Sequence, residues 1–330
     1  MRVVFVGVSH WHTPLYLEPA LRTPGIEIVG VSDADIEKAR GVAERAGCRA
    51  WADYREMCAG LRPDFAFAFG RHCEMAAIAR DLIDQRVAFA MEKPCGINAA
   101  EVTHLAERAR RAGVFASVAF VMRHSPMLDV IRGVADGEAV HYLSFKFVAG
   151  PVERYRRAGV DWMLTRATAG GGAVLNLGVH FFDLCRLLLG DAPPTVVGAA
   201  MSNALAGLDV EDHGLVLLRA GAAACSIETG YVYPAPPSVF DMHFSIRTAR
   251  HYFVAPDSRT FEIVDDAQRR ETRAIPTTNV ECYPVFVRDV VRRAERGEPP
   301  IADLGDMAAT MILVDAAYAM SPLPVVASRG

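Results

Sequence analysis

The chain has no block of like charge, no C-x-x-C pair, no apolar run of membrane-spanning length and no internal repeat. Its 35 basic and 39 acidic residues leave a net charge of −4, which provides no electrostatic case for nucleic acid or an anionic membrane. Without about 18 uninterrupted apolar residues, no transmembrane helix is expected. The opening MRVVFVGVSH lacks the tripartite pattern of an export signal, so a cytoplasmic location is expected. The seven cysteines are scattered and odd in number, which suits a reduced chain using them as small apolar residues. Cys95 has no evident base beside it, so a nucleophilic role is not expected. The pair His10-x-His12 has no third ligand placed by the sequence, so no metal site is expected either. What remains is an ordinary globular composition, 52% hydrophobic and 22% charged over 330 residues, long enough for two domains.

The first third alternates between the two regular structures. Apolar runs at 2–7, 26–32, 64–69, 87–91 and 114–122 read as buried strands. Helical patterns at 34–46, 73–86 and 98–112 lie between them, two of them closed by Gly47 and Gly113. Such alternation implies parallel βαβ units and a doubly wound sheet. Past Arg123 the rhythm changes. A helix at 126–133 and a strand at 140–148 lead into a loop, and then strand-like runs follow at 196–201, 213–219, 222–231, 239–246, 251–254 and 260–264. Helices at 285–296 and 303–320 close the chain. Short turns between consecutive strands argue for a mostly antiparallel sheet. The expected fold is α/β: a Rossmann-type domain over 1–122 and an α+β domain over 123–330, with the functional cleft between them.

Three segments carry chemistry. Gly7-Val8-Ser9-His10-Trp11-His12 stands where a dinucleotide fold places G-x-G-x-x-G, and only Gly7 of the three glycines is kept. Thr13-Pro14 reads as an N-cap and first helical residue, so a helix N-terminus is still available to a phosphate, and Pro19 is expected to interrupt that helix. Asp33 closes the second strand about 26 residues after Gly7, where an acid binds the adenosine ribose hydroxyls. No arginine follows it at once, which favours NAD over NADP. The second segment, Glu92-Lys93-Pro94, falls at the carboxyl end of a buried strand, where open α/β sheets bind ligands. His72 falls at the same edge. The third segment, GGGAVLNLGVHFFDLCRLLL over 170–189, reads as three glycines and then one helix, apolar nearly all round. Its polar exceptions Asn176, His180 and Asp183 are spaced to share one face.

In this order and spacing the motifs resemble those of the glucose-fructose oxidoreductase / inositol dehydrogenase / rhizopine-catabolism family, Gfo/Idh/MocA. Glu92-Lys93-Pro94 matches its EKP motif, and Arg123-His124-Ser125-Pro126 resembles its R-x-x-P. Trp162, then Gly170-Gly171-Gly172, then Gly178-x-His180-x-x-Asp183, match its GGG…G-x-H-x-x-D segment. The resemblance covers essentially the whole chain and implies a nicotinamide-dependent oxidoreductase acting on a sugar, polyol or inositol-like compound. It implies that Lys93 touches substrate and nicotinamide ribose, that His180 is the acid/base, and that Arg123, Trp162 and Asn176 bind substrate. Asn176 replaces the Asp that the family often has. It cannot raise the basicity of an imidazole, but it can hydrogen-bond a substrate hydroxyl. Asp183 is expected to be structural, anchoring Arg186 or nearby backbone.

Cofactor contacts are therefore expected from Gly7, Ser9, His10, His12, Asp33, His72, Glu92, Lys93 and Pro94, with NAD preferred to NADP. Two alternatives stay open: a non-catalytic NAD- or sugar-binding sensor of the same fold, and an NAD-dependent glycosidase. A homodimer or homotetramer is expected, because the 225–233 strand is rich in Ile, Thr, Tyr and Val and such a sheet face needs a cover.

Overall fold

The structure is a computed structural model that describes residues 1–190, 192–236 and 239–323. It separates into two units. The first comprises residues 1–121 and 280–309; the second comprises 122–279 and the chain from 310 onward. The first of these units ends at 121, beside the expected boundary at 122/123, and it also takes in 280–309, which the expected second domain of 123–330 had included.

The first unit is built on six parallel strands: β1 (Arg2–Val6), β2 (Glu27–Ser32), β3 (Arg49–Trp51), β4 (Phe65–Ala68), β5 (Ala88–Met91) and β6 (Ala116–Val118). Their order is β3-β2-β1-β4-β5-β6, the doubly wound arrangement. Helices α1 (Thr13–Arg22), α2 (Ile36–Ala46), α3 (Tyr54–Leu61), α4 (His72–Asp84) and α5 (Ala99–Ala112) connect them. β1 and β4 are continuous apolar runs, as strands covered on both faces must be, and Val3, Phe5, Phe65 and Phe67 are fully buried. Four details differ from the expectation. β3 and α3 were not anticipated. α1 has His12 rather than Thr13 at its N-cap, and it runs on through Pro19. β6 stops at Val118, and Val121–His124 forms a 3-10 turn instead of prolonging the strand.

Tyr16 on α1 sets its ring against Phe67 and Phe69 from the sheet and against Tyr283 and Phe286 from the returning segment. That segment also seals the sheet edge: Val118 N–H donates to the Ala302 carbonyl, and Asp303 bridges to Ser117.

The second unit begins with α6 (Pro126–Val134) and β7 (Val140–Val148), followed by the short helices α7 (Glu153–Arg157), α8 (Arg166–Ala169) and α9 (Ala173–Asn176), then α10 (Val179–Leu189). Strands β8 (Thr195–Ser202), β9 (His213–Ala220), β10 (Ala223–Gly230), β11 (Asp241–Thr248), β12 (His251–Ala255), β13 (Thr260–Asp265) and β14 (Arg270–Ala274) follow. With β7 they form an eight-stranded sheet in the order β14-β13-β12-β11-β7-β10-β9-β8. β7 and β10 pair in parallel and every other neighbouring pair is antiparallel. α9 and α10 lie on one face. β9 alternates strictly, burying Val216 and Leu218 while exposing Leu215 and Leu217. On β10 the apolar residues Ala223, Cys225 and Ile227 are buried, as is Tyr231 just after it, and the alternate positions are Ala224, Ser226 and Glu228. The side chains that suggested an exposed apolar strand at 225–233 therefore point into the core.

Helix α11 (Tyr283–Arg296) belongs to the first unit, and α12 (Leu304–Met320) carries the chain from the first unit to the second. Among the described residues no single helix is long and apolar enough to cross a membrane.

Candidate functional site

In the first unit the expected residues gather at the carboxyl edge of the parallel sheet. Gly7 leaves β1 at φ +74°, and a Cβ there would overlap the Phe69 carbonyl at the end of β4. Only glycine combines that torsion with so close an approach. Beyond it the turn is closed by side chains of the protein: Ser9 N–H donates to Asp33 Oδ2 at 2.7 Å, and His12 N–H donates to His10 Nδ1 at 3.2 Å. Asp33 also accepts the Asp35 N–H, while Asp35 itself caps α2. Asp33 is thus free of a capping role and holds the second strand's end against the turn.

Glu92 is turned into the unit. Its Oε1 accepts from Tyr16 Oη at 2.7 Å, His12 Nδ1 at 3.0 Å and Tyr283 Oη at 3.2 Å, and its Oε2 accepts from the Lys93 backbone N–H at 3.1 Å. Burial alone would raise its pKa. The neighbouring His12, Lys93 and His10 outweigh that and hold the carboxyl well below the usual range. Burial and the same carboxylate push the Tyr16 and Tyr283 hydroxyls up, so both remain neutral donors. Burial, with His12 next, lowers His10 and keeps it a neutral imidazole able to accept the His12 N–H. The two oxygens of Glu92, a residue expected among the cofactor contacts, fix His12 and the backbone of Lys93. Lys93, Pro94 and His72 are buried at the same edge, His72 as the first residue of α4. The Cys95 thiol donates to the Glu92 carbonyl, and burial pushes its pKa well up, which suits an inert thiol.

In the second unit the glycine run has steric reasons. Gly170 sits at φ +80°, a Cβ on Gly171 would overlap the Tyr318 hydroxyl, and one on Gly172 would overlap the Glu211 carbonyl. Glu211 lies fully buried, with its Oε1 accepting from Gly172 N–H, Val174 N–H and Tyr318 Oη at 2.9, 2.9 and 2.7 Å. Burial raises its pKa despite those donors. Gly178 breaks the expected single helix: a Cβ there would overlap the Val174 carbonyl, and the pieces on either side bend by 49°. Asn176 therefore lies on a different axis from His180 and Asp183, and the one-face stripe is not realised as a continuous helix.

Asn176 donates its two amide hydrogens to the Tyr155 and Tyr231 hydroxyls, each at 2.9 Å. Asp183 takes Arg123 in a two-pronged ion pair, Nε to Oδ2 at 2.9 Å and Nη2 to Oδ1 at 2.6 Å, with Arg186 farther off at 3.8 Å. Asp183, expected to anchor Arg186 or nearby backbone, has Arg123 as its nearer arginine. Arg123, expected to bind substrate, is tied to α10 by this pair. His180 is buried in the first turn of α10. Trp162 is half-buried in a 3-10 turn, where its carbonyl accepts the Thr168 hydroxyl. Sequence reasoning missed Tyr16 and Tyr283 around Glu92, and Tyr155, Tyr231, Glu211 and Tyr318 around the glycine segment. No local pattern marks them, since each acts across a large separation. Among the described residues no cluster of three or more acidic, histidine or cysteine side chains is disposed to hold a metal.

Residues 1–120 match the family described as an oxidoreductase family with an NAD-binding Rossmann fold. Residues 143–250 match the GFO/IDH/MocA C-terminal domain. The chain belongs to the Gfo/Idh/MocA family. Among curated relatives, the trans-1,2-dihydrobenzene-1,2-diol dehydrogenase of Macaca fuscata fuscata is 26% identical over 208 residues, covering 61% of this chain and 60% of the relative. The chain thus matches only about three fifths of that relative's length. Among solved structures, GenD2 from gentamicin A biosynthesis in complex with NAD is similar with a TM-score of 0.82, 22% identity and coverage of 97% and 93%. Levoglucosan dehydrogenase in complex with NADH and levoglucosan has a TM-score of 0.83, 17% identity and coverage of 97% and 98%. At such identities the likeness concerns the fold.

Proposed function

We propose that the protein is an NAD-dependent dehydrogenase that moves a hydride between nicotinamide and the carbinol carbon of a sugar, polyol or related diol. The observation that carries this reading is the place of Lys93, directly after β5 at the carboxyl edge of a doubly wound sheet, with its backbone N–H tied to the buried Glu92. The chain's residues suit the dinucleotide. Gly7 supplies the left-handed turn that ends β1 against the Phe69 carbonyl, and Asp33 keeps lone pairs for ribose hydroxyls after accepting two N–H groups. Among the described residues no cation pairs with Asp33, so a ribose 2′-phosphate would meet an uncompensated carboxylate, and NAD is favoured over NADP. When bound, NAD supplies the hydride acceptor. Lys93 steadies the substrate oxygen through its ammonium group, and His180 takes the hydroxyl proton as the carbinol is oxidised.

The test is NADH-linked screening of sugars, inositols and diols, with NAD affinity measured separately by fluorescence titration. Lys93→Met should remove most turnover and leave NAD binding in place. A second reading, a sensor without turnover, is favoured by one feature: the Ser9 and His12 amides, which a glycine-rich turn would offer to pyrophosphate, are already bonded to Asp33 and His10. Tight NAD binding with no NADH from any compound in the screen would select the sensor.

A further inference from the structure

The second unit contains an open hollow of about 570 Å³ that neither the motifs nor the dehydrogenase chemistry uses. Its walls are Pro151, Arg154, Arg157 and Ala158 on one side and Pro234 and Pro236 on the other. The walls are fixed. Gly150, at φ +147°, lets the backbone lie against the Tyr231 carbonyl, where a Cβ would overlap it. Ala149 N–H donates to the Gly230 carbonyl at 2.8 Å, and Tyr233 N–H donates to the Ala149 carbonyl at 3.0 Å. Prolines on both sides stiffen the rim further.

The charge is one-sided. α7 carries Arg154, Arg156 and Arg157 against a single acid, Glu153, and that acid pairs with Arg156 at 2.9 Å. Arg157 is exposed at the hollow and forms no ion pair among the described residues. Arg154 lies over the Tyr155 ring at 4.7 Å and donates to its hydroxyl at 2.8 Å, the same hydroxyl that accepts from Asn176. The hollow is thus one side chain away from Asn176, which ends α9 four residues before His180. A guanidinium fork fits a carboxylate or phosphate better than any neutral group, and the volume suits a small ligand.

We propose that this hollow is a subsite for an anionic oxyacid group, phosphate or carboxylate, carried by the substrate. Calling the occupant part of the substrate rests on the dehydrogenase reading above; the affinity for an anion does not. The hollow's apolar floor would seat the ring or chain adjoining the charge, while Arg157 and Arg154 hold its oxygens.

The experiment titrates NAD-loaded protein calorimetrically with glucose 1-phosphate, glucuronate and glucose, and records NADH in parallel. At least one of the two anions should bind about tenfold or more tightly than glucose, the usual scale of a hydrogen bond to a charged group. The better of them identifies the phosphoryl or the carboxylate source. Arg157→Glu should abolish the preference, and Arg154→Gln should weaken it. Arg110→Glu, an exposed reversal in the first unit, should leave it unchanged. Equal binding of all three compounds, or an anion preference that survives Arg157→Glu, overturns the subsite. Anion preference without NADH from any compound keeps the subsite and rejects the dehydrogenase. NADH from neutral sugars with no anion preference does the reverse.

Discussion

Replacing Glu92 by Gln isolates the most densely bonded charge in the first unit. The carboxylate is 1% exposed and takes four donors: three at Oε1 and the Lys93 N–H at Oε2. An amide can keep its oxygen toward Tyr16, Tyr283 and His12, but its NH₂ then faces the Lys93 N–H, donor against donor. One bond is lost outright, with a buried N–H left unmet, and three charge-assisted bonds become neutral ones. A hydrogen bond to a charged group contributes about 1.5–3 kcal/mol against roughly 1 kcal/mol for a neutral one, and an unmet buried donor costs about 1–3 kcal/mol. Part of that sum is returned because a buried charge no longer has to be desolvated, so a net loss of about 2–4 kcal/mol is expected. The pH dependence has a definite sign. Glu92 is depressed in the folded protein, so its contribution is complete above the unfolded carboxyl pKa and is lost as pH falls. Urea unfolding should therefore show wild type ahead of Glu92→Gln at neutral pH, with the gap narrowing below about pH 4.5. A difference under about 0.5 kcal/mol, or a gap that does not change with pH, would refute the claim that the ionised carboxylate organises this edge.

Three further outcomes are expected. NADP should bind at least about tenfold more weakly than NAD because of Asp33, by fluorescence titration, and equal affinities reject that assignment. His180→Ala should lower turnover by about 10²–10⁴ with NAD affinity unchanged, the usual contribution of a positioned acid/base, and a smaller loss removes it from the reaction. We propose a homodimer or homotetramer assembled through the outer sheet face, where Val197, Leu215 and Leu217 are 56, 37 and 45% exposed. Light scattering should show the assembly at micromolar concentration and its loss in Leu217→Lys, and a wild-type monomer counts against it.

Long, strongly patterned elements were legible from the residues alone. The first unit's apolar runs could only be strands covered on both faces, and Gly47 and Gly113 closed their helices at left-handed torsions as read. The misses have physical causes. β3 has three residues and an exposed Arg49, and β14, RETRA, is a charged edge strand held by its ladder to β13 rather than by apolar alternation. The 170–189 segment read as one helix because a glycine within an apolar run looks tolerable until its neighbours are known. The overlap of a Gly178 Cβ with the Val174 carbonyl is a fact of three dimensions. The same limit hid Tyr283, 191 residues from Glu92, and left Arg123 unrecognised as the partner of Asp183.

The return of residues 280–309 also governs the order in which the molecule can be made. Tyr283, Phe286, Val287, Val290 and Val291 are buried in the core that begins at Val3, and together such side chains contribute on the order of 10 kcal/mol, comparable to the net stability of a whole domain. On a ribosome, the first 121 residues emerge long before their own core can close, and Glu92 is without its Tyr283 donor until 191 further residues have been synthesised. The second unit's sheet, complete by Ala274, is finished first. A nascent first unit therefore waits with apolar core surface uncovered until its last helix is made.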